Sequence, residues 1–393
     1  MSLARLALAY LASRPLLTAL HVVLLSLGTA TIVVLLLFTA QAERRLERDA
    51  KGVDLVVGAK GSPLQLILSS VLHVDMPTGN IPFAAARSLA LDPMVLAVIP
   101  LSLGDTYRGF RIVGTNTAFL ELYEARVERG VVFKDEMEAV LGSTVAQRTG
   151  LGPGAAFAGS HGLAESGAAH GEHPYRVVGV LAPTGTVADR LVLTPLESVW
   201  EVHGAHGTVA PGSLEITALL VRYRTPIAAA ILPRKINSTT SMQAASPAYE
   251  TARLMSLVGV GVDALSAFAA VLMVSAALSI FIALTSALQE RRRDLALLRT
   301  LGASPSELFV LIAAEGMTLV GTGVILGLAL GHGAADVMGR WLARSQAWSI
   351  TGLTWERTEG LLVLFVLVVG AVTCLIPAIQ AYRRDPATVL LEQ

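Results

Sequence analysis

Four long segments of the chain contain no Asp, Glu, Lys or Arg: residues 15–42, 264–289, 316–335 and 360–382. A helix rises 1.5 Å per residue, so about 20 apolar residues cross the roughly 30 Å hydrocarbon core of a membrane. Only 15% of the residues are charged and the mean hydropathy is +0.61, whereas soluble domains carry about 25% charged residues. We predict membrane spans at residues 15–42, 263–289, 308–335 and 360–382.

A basic run, residues 289–304, separates the second and third of these segments and contains four arginines within nine residues. Arginines in short loops stay on the cytoplasmic side of a membrane. The run therefore predicts that residues 290–306 and both termini, including the tail 383–393, are cytoplasmic. Residues 43–262 and a loop at 336–358 are then outside, and Arg5 and Arg14 before the first span agree with this orientation.

The same run has a helical pattern. Leu297, Leu298 and Leu301 are spaced to form an apolar stripe, and Gly302 can end a helix before Pro305. We expect a short helix that lies flat beneath the membrane.

The N-terminus permits two interpretations. Ala40-Gln41-Ala42 has the small-x-small form of a signal-peptidase site. Secretory apolar regions run about 7–15 residues, whereas this one continues from Leu16 to Phe38, which favours a retained anchor. Residues 1–14 form either an interfacial helix or a simple extension of the first span.

The outer region, residues 43–262, is large enough for its own core. Strand-like runs at 53–57, 111–114, 175–180 and 218–221 alternate with helical patches at 64–71 and 136–149, and residues 42–51 and 249–262 are expected to form stalk helices. The predicted fold class is an α-helical integral membrane protein with four transmembrane helices plus a large mixed α/β extracytoplasmic domain between the first and second spans.

Histidine is concentrated in the outer region, where a Gly/Ala/Ser-rich segment covers residues 152–173. Five of the eight histidines fall within 46 residues: His161, His170, His173, His203 and His206. Imidazoles on a flexible loop can bind zinc, but no cysteine accompanies them, because Cys374 lies in the fourth span. The alternatives are a zinc site and a loop without a ligand.

Catalytic signatures are absent from the sequence. It contains no phosphate-binding loop, no Gly-x-Ser-x-Gly elbow and no His-Glu-x-x-His helix. We expect a non-catalytic chain without a cofactor of its own and without a nucleic-acid partner.

Several motifs and the layout of the chain point to one family. The likeness rests on five short segments: the run from Glu290 to Ser304, Ala314-Glu315-Gly316, the closing Tyr-Arg-Arg-Asp-Pro-Ala of residues 382–387, and residues 112–115 and 140–143. With one span, a large outer domain and then three spans, the chain resembles the permease subunits of MacB, LolC/LolE and FtsX-type ABC transporters.

The resemblance implies a homodimer or pseudo-dimer in the bacterial inner membrane that docks on two copies of a separate cytoplasmic ATPase, which would bind ATP and magnesium. It also implies mechanotransmission, in which movement caused by ATP hydrolysis is passed on to the outer domain. Further candidate partners are membrane lipid and a periplasmic or outer-membrane adaptor. The positions matched to the ATPase-coupling helix are Glu290, Arg291, Arg292, Arg293, Asp294, Leu297, Leu298, Arg299, Leu301 and Gly302.

The third span contains Gly323, Gly327 and Gly331, one small residue every four positions on a single helix face. This stripe predicts close helix packing, either in a dimer or within one subunit. Glu315 in the same span is expected to be paired or near the cytoplasmic surface, and a proton-relay role is disfavoured because no second intramembrane acid or base is evident.

Two functional classes remain. The first is a permease that drives export or envelope trafficking of a substrate. The alternative is an FtsX-like signalling permease that activates an envelope hydrolase without transport. The length of the outer region favours transport, and the sequence does not identify the substrate.

Overall fold

The computed structural model describes residues 3–161, 173–203, 214–346 and 350–383. The helices are α1 (Leu3–Ser13), α2 (Pro15–Asp49), α3 (Pro63–Ser70), α4 (Ala84–Ala90), α5 (Ala118–Leu122), α6 (Ser143–Thr149), α7 (Leu196–Val202), α8 (Ala228–Thr239), α9 (Pro247–Glu290), α10 (Arg292–Thr300), α11 (Pro305–Gln346) and α12 (Arg357–Arg383).

The strands are short and lie between α2 and α9 in the chain. They are β1 (Leu55–Ala59), β2 (Ile81–Pro82), β3 (Val95–Tyr107), β4 (Phe110–Thr115), β5 (Val127–Gly130), β6 (Glu138–Leu141), β7 (Ala156–Phe157), β8 (Ser160–His161), β9 (Tyr175–Leu181), β10 (Leu191–Pro195), β11 (Glu215–Ile216), β12 (Ala218–Tyr223) and β13 (Met242–Ala245).

The chain divides into two compact units. One is Met1–Ala42 with Val258–Gln393, and the other is Glu43–Leu257. Among the described residues, four helices are long and apolar enough to cross a membrane: Pro15–Asp49, Pro247–Glu290, Pro305–Leu342 and Arg357–Arg383. The predicted fold class is therefore confirmed, with the mixed α/β unit between the first and second of these helices.

The helices of the membrane unit extend beyond the predicted spans. Because α11 continues to Gln346, half of the predicted loop 336–358 is helical. At the start of the chain α1 and α2 are separate helices that break at Arg14, so the simple extension of the first span is wrong. Pro15 explains the break, since proline fits the first position of a new helix but disfavours helical backbone at the residue before it.

The outer unit is built on one mixed sheet. Its path, in the described part of the chain, is β13-β1-β12-β3-β4-β10-β6-β9-β5, with β7 added on β9 and β8 on β3. Most pairs are antiparallel, while β10 runs parallel to β4 and β6 parallel to β9. The predicted strands at 53–57, 111–114, 175–180 and 218–221 correspond to β1, β4, β9 and β12.

Both faces of this sheet are buried. Successive residues alternate between two cores: Val56, Val113 and Leu193 share one cluster, whereas Leu55 and Ile112 belong to clusters on the opposite face. Strands covered on both faces have continuous apolar runs rather than alternation. The sheet is therefore the packed centre of the unit.

One helical prediction in the outer unit is wrong in its first half. Residues 138–141 form β6, and only Ser143–Thr149 is helical. The four residues Glu138–Leu141 are all buried between β10 and β9, so pairing within the sheet overrides a locally helical pattern. The stalk predictions agree with the structure, since α2 continues to Asp49 and α9 begins at Pro247.

Candidate functional site

The basic run folds as the short helix α10 between α9 and α11. Arg291 is its N-cap residue and Arg292 its first residue. The helix ends where Leu301 donates its N–H to the carbonyl of Leu297, and Gly302 follows with φ +105°, a conformation that glycine adopts without strain. The predicted stop at Gly302 is thus confirmed.

The first turn of α11 is fixed by a reciprocal cap. The Ser304 N–H and Oγ donate to the Glu307 carboxylate at 2.6 and 3.0 Å, and the Glu307 N–H donates to Ser304 Oγ at 3.3 Å. This Ser-x-x-Glu arrangement is a capping box, and Pro305 occupies the first helical position. A tight turn therefore holds α10 close to the start of α11.

The two faces of α10 differ in burial. Leu295 and Ala296 are buried, and Leu298 packs against the same core. Leu297 and Leu301 remain 53% and 84% exposed. Arg293 and Asp294 are also exposed, while Arg299 is half-buried. The predicted apolar stripe of Leu297, Leu298 and Leu301 is thus divided between the bundle core and the exterior.

Arg291 anchors α10 to the bundle. Its guanidinium lies 3.4 Å from the carboxylate of Glu315 on α11, and both side chains are almost completely buried. The guanidinium also stacks 3.8 Å from the ring centroid of Tyr10 on α1, a cation–π contact. Glu315 is therefore paired, as the sequence predicted. Glu290 at the end of α9 forms an ion pair with Arg14.

Glu315 has a second ionisable neighbour that sequence reasoning missed. His21 on α2 is buried, and both residues line the same small cavity of about 30 Å³, together with Arg14 and Arg291. A cavity of this size holds about one water molecule. The expectation that no other intramembrane acid or base accompanies Glu315 is therefore wrong.

The glycine stripe of α11 packs against α2 of the same chain. A Cβ at Gly323 would lie 2.8 Å from Leu25, one at Gly327 would lie 2.6 Å from Thr29, and one at Gly331 would lie 2.7 Å from Val33. The absence of side chains lets the two helices approach this closely. Of the two interpretations, the structure shows packing within one subunit.

A second buried pair in the membrane unit involves His332 on α11. Its Nε2 lies 2.8 Å from Glu359 of α12, and its Nδ1 lies 2.6 Å from the carbonyl oxygen of Gly352. Gln41 of α2 makes two further hydrogen bonds to the backbone of Thr351, at 2.8 and 2.9 Å. These contacts tie residues 351–359 to three of the long helices.

The end of α2 is tied to the core of the outer unit. The Asp49 carboxylate lies 2.7 Å from the Arg190 guanidinium and 3.8 Å from that of Arg45, and its backbone carbonyl accepts a 2.9 Å hydrogen bond from Tyr123. Leu46 belongs to the large core cluster beneath the sheet. The end of the first stalk helix is therefore packed into the core of the outer unit.

The start of α9 contacts the same core through Met255, which is partly buried and packs against the cluster that contains Leu46. Glu250 is also buried and lies 3.7 Å from Arg253 of the same helix. Two continuous helices, α2 and α9, thus have their outer ends embedded in one core.

Of the five predicted histidines, the structure describes the side chains of His173 and His203, and these two lie beside different carboxylates. His173 lies 3.9 Å from Glu201, and His203 lies 3.9 Å from Asp105. His170 and His206 lie outside the described residues, and of His161 only the backbone position in β8 is described. In the parts of the chain that the structure covers, no three His, Cys, Asp or Glu side chains are placed to hold a metal ion.

Comparisons with known proteins agree with this architecture. The model of the MacB-like periplasmic core domain matches residues 18–253, and that of the FtsX-like permease C-terminal domain matches residues 266–386. Because these matches cover both units and most of the chain, the protein is a membrane-embedded permease component of an ABC transporter. It belongs to the family of MacB/FtsX-type permeases. The family implies an ABC ATPase as partner, and the permease itself is non-catalytic.

Two solved structures are similar to part of the chain. The periplasmic region of MacB from Actinobacillus actinomycetemcomitans is 10% identical, with 52% of this chain and 95% of that chain covered and a TM-score of 0.35. The extracellular domain of the noncanonic ABC-type transporter YknZ from Gram-positive bacteria is 13% identical, with 48% and 98% covered and a TM-score of 0.31. No curated protein matches the chain.

Proposed function

We propose that this permease couples ATP hydrolysis by a separate cytoplasmic ATPase to movement of its outer domain, and so drives export or envelope trafficking of a substrate by mechanotransmission. A homodimer in the inner membrane, with both termini cytoplasmic and two ATPase copies bound, is the assembly that we infer. A periplasmic or outer-membrane adaptor completes it.

One observation carries the proposal. α10 exposes Leu297 and Leu301 together with Arg293, although its opposite side is packed into the bundle. Arg293, Leu297 and Leu301 follow one another at intervals of four residues, so they lie on one helix face. Two exposed leucines beside an arginine form an apolar patch that a docked partner can cover, and arginine is enriched at protein interfaces.

The anchoring of α10 supports force transmission. A docking helix can move a bundle only if it is fixed to it, and the Arg291–Glu315 pair together with the buried Leu295 provides this attachment. The helices α2 and α9 are each continuous, from Pro15 to Asp49 and from Pro247 to Glu290. Continuous helices whose outer ends are embedded in a core are suited to relay a displacement.

Charge insertion on the exposed face of α10 tests the docking role. Leu301→Glu and Arg293→Glu, each made in the full chain co-expressed with the ATPase, should reduce the ATPase recovered with the purified permease at least tenfold without lowering membrane insertion. The matched control is Leu353→Glu, because Leu353 is also highly exposed but lies on the predicted outer side. Unchanged recovery in both α10 variants would reject the proposal.

The signalling alternative differs in its partners. An adaptor encoded beside the permease and the ATPase supports transport, whereas an envelope hydrolase that the outer domain binds supports signalling. Both classes require docking at α10, so the charge-insertion experiment does not separate them.

A further inference from the structure

The turn at residues 350–356, which leads into α12, presents two large apolar side chains to the exterior. Leu353 is 91% exposed and Trp355 is 58% exposed. A single exposed leucine is ordinary on a protein surface. Here two such side chains lie within three residues, beside helices that are long and apolar enough to cross a membrane. Grouped apolar side chains of this kind mark interaction surfaces.

Hydrogen bonds fix the backbone on both sides of these side chains. The Thr351 N–H donates to Gln41 Oε1 of α2 at 2.9 Å, and the Leu353 N–H donates to Thr351 Oγ1 at 3.1 Å. Closer to α12, the Glu356 N–H donates to the Glu359 carboxylate at 2.9 Å. The turn therefore holds its exposed side chains at a defined position relative to α2 and α12.

The charges of α11 and α12 indicate where the hydrocarbon core of the membrane ends. The charge-free stretch of α11 ends at Ala335, and that of α12 begins at Gly360. Residues 316–335 of α11 rise about 30 Å, at 1.5 Å per residue, which matches the thickness of the hydrocarbon core. One boundary of the core is therefore at the level of Ala335 and Gly360.

The turn lies at this boundary. The Gly352 carbonyl oxygen is 2.6 Å from Nδ1 of His332, which is less than one helical turn from Ala335. The Trp355 ring stacks on the same imidazole, with centroids 5.9 Å apart and an angle of 8° between the planes. Leu353 follows Gly352 directly, so both exposed side chains are near the edge of the hydrocarbon core. Tryptophan is enriched at this level because its ring is apolar and its N–H is polar.

The exposed apolar surface continues from the turn into the spans. Leu330 and Val337 on α11 are seven residues apart, so they lie on one helix face, and both are exposed. Leu361 is exposed at the start of α12. Arg357, the first residue of α12, is exposed on the polar side of the boundary, where a guanidinium can bind a lipid phosphate. The turn thus extends an apolar surface of the membrane helices up to the headgroup level.

We propose that the turn 350–356 is an interfacial anchor that binds the phospholipid of one membrane leaflet. Leu353 inserts into the edge of the hydrocarbon core, and Trp355 lies at the boundary with the headgroups. Because the turn is bonded to α2 through Gln41 and to α11 through His332, the anchor sets the depth of α2, α11 and α12 together. The leaflet is the outer one in the proposed topology, but the lipid contact does not depend on that orientation.

Fluorescence quenching by brominated lipid tests the anchor. The chain has four tryptophans, at positions 200, 341, 348 and 355. Full-length variants that keep one of them, with phenylalanine at the other three, are placed in nanodiscs of phosphatidylcholine brominated near the headgroup end of its acyl chains. Bromine quenches an indole only at close contact, so Trp355 at the boundary should lose roughly half of the emission that it has in unbrominated lipid.

Two other tryptophans provide matched controls. The Trp200 indole donates its N–H to the Glu215 carbonyl oxygen at 2.7 Å within the outer unit, so its emission should not change. Trp341 on α11 is 67% exposed. It lies beyond Ala335, about 9 Å farther from the membrane centre at 1.5 Å per residue. Trp341 should therefore be quenched less than Trp355.

Leu353→Trp, made in a chain whose four native tryptophans are replaced by phenylalanine, should be quenched at least as strongly as Trp355. The melting temperature of each variant is compared with that of the wild type. If the multiple replacements impair folding, the difference between the wild type and Trp355→Phe isolates the same signal. Three outcomes would reject the anchor: Trp355 emission that is unquenched and red-shifted, as in water; unquenched and blue-shifted, as beneath a second copy or another protein; or quenched less than that of Trp341.

Discussion

The Arg190 guanidinium lies 2.7 Å from the carboxylate of Asp49, although the two residues are 141 positions apart in the chain. Asp49 is the last residue of α2, and Arg190 ends a short 3-10 helix before β10. Both side chains are buried, and Arg45 brings a second guanidinium to the same carboxylate. One carboxylate therefore balances two buried cations at the outer end of the first stalk.

Replacing Asp49 by Asn should destabilise the outer unit by about 3–5 kcal/mol, because it removes the buried carboxylate that pairs with the Arg190 and Arg45 guanidinium groups. Thermal unfolding of the full chain in nanodiscs measures this change. Lys51→Met serves as the control, since Lys51 and Glu124 form an exposed ion pair whose loss should not shift the transition measurably. Equal melting temperatures for wild type and Asp49→Asn would show that the Asp49–Arg190 ion pair does not stabilise the outer unit.

Glu315→Gln should weaken coupling while the chain still inserts into the membrane, because Arg291 keeps its stacking on Tyr10 but loses its counter-charge. ATP hydrolysis by the reconstituted complex should fall several-fold. The exchange Arg291→Glu/Glu315→Arg should restore only part of the activity, since a carboxylate over the Tyr10 ring is repelled by its negative face. No rescue at all would assign the loss to misfolding, and unchanged activity in Glu315→Gln would exclude a coupling role for the pair.

The sequence was sufficient to predict the elements whose pattern is local. The four apolar helices depend on length and composition alone, and the helix stop at Gly302 depends on one residue type. Residues 136–142 were mispredicted because the strand Glu138–Leu141 exists only through its neighbours in the sheet. No local signal in a four-residue segment reports such pairing.

The site residues also divide into those that a local pattern predicts and those that only the fold brings together. The basic run predicted α10, but which leucines face outward depends on how the helix packs on the bundle. The fold brings Asp49 next to Arg190 and Asp105 next to His203. The sequence alone could not show that these residues are paired. His21 and His332 were signals that the sequence offered and that were missed, since a histidine within a span is unusual enough to predict a polar neighbour.

Gly327→Val should destabilise the membrane unit by about 1–3 kcal/mol, because overpacking of a close contact forces the helices apart. A Cβ at this position would already lie 2.6 Å from Thr29 and 3.0 Å from the Ser26 carbonyl oxygen. Gly333→Val is the matched control on the same helix, where a Cβ meets nothing within 4 Å. The melting temperature in nanodiscs should fall for the first variant alone, and equal stability of the two variants would contradict the assigned α2–α11 packing.

Buried His73 should make the outer unit sensitive to acid. Burial, together with the positive charges of Arg111 and Arg190, lowers the pKa of His73 to about 3. In the unfolded chain a histidine titrates near 6.5, so protons bind preferentially to the unfolded state between these values. Full stability is therefore present above about pH 6.5 and declines as the pH falls towards 3, by at most about 1.4 kcal/mol per pH unit.

Denaturant unfolding of the full chain at pH 7.0 and 4.5 measures the effect, and this one residue should account for about 2–3 kcal/mol of the difference. His73→Asn removes the titrating group, and asparagine tolerates the positive φ of 55° at this position. The variant should therefore lose less stability on acidification than the wild type, whatever its stability at pH 7.0. His173→Asn, at a half-exposed site in the same unit, should retain the wild-type difference. An identical loss in the His73→Asn and wild-type proteins would show that this histidine does not control acid unfolding.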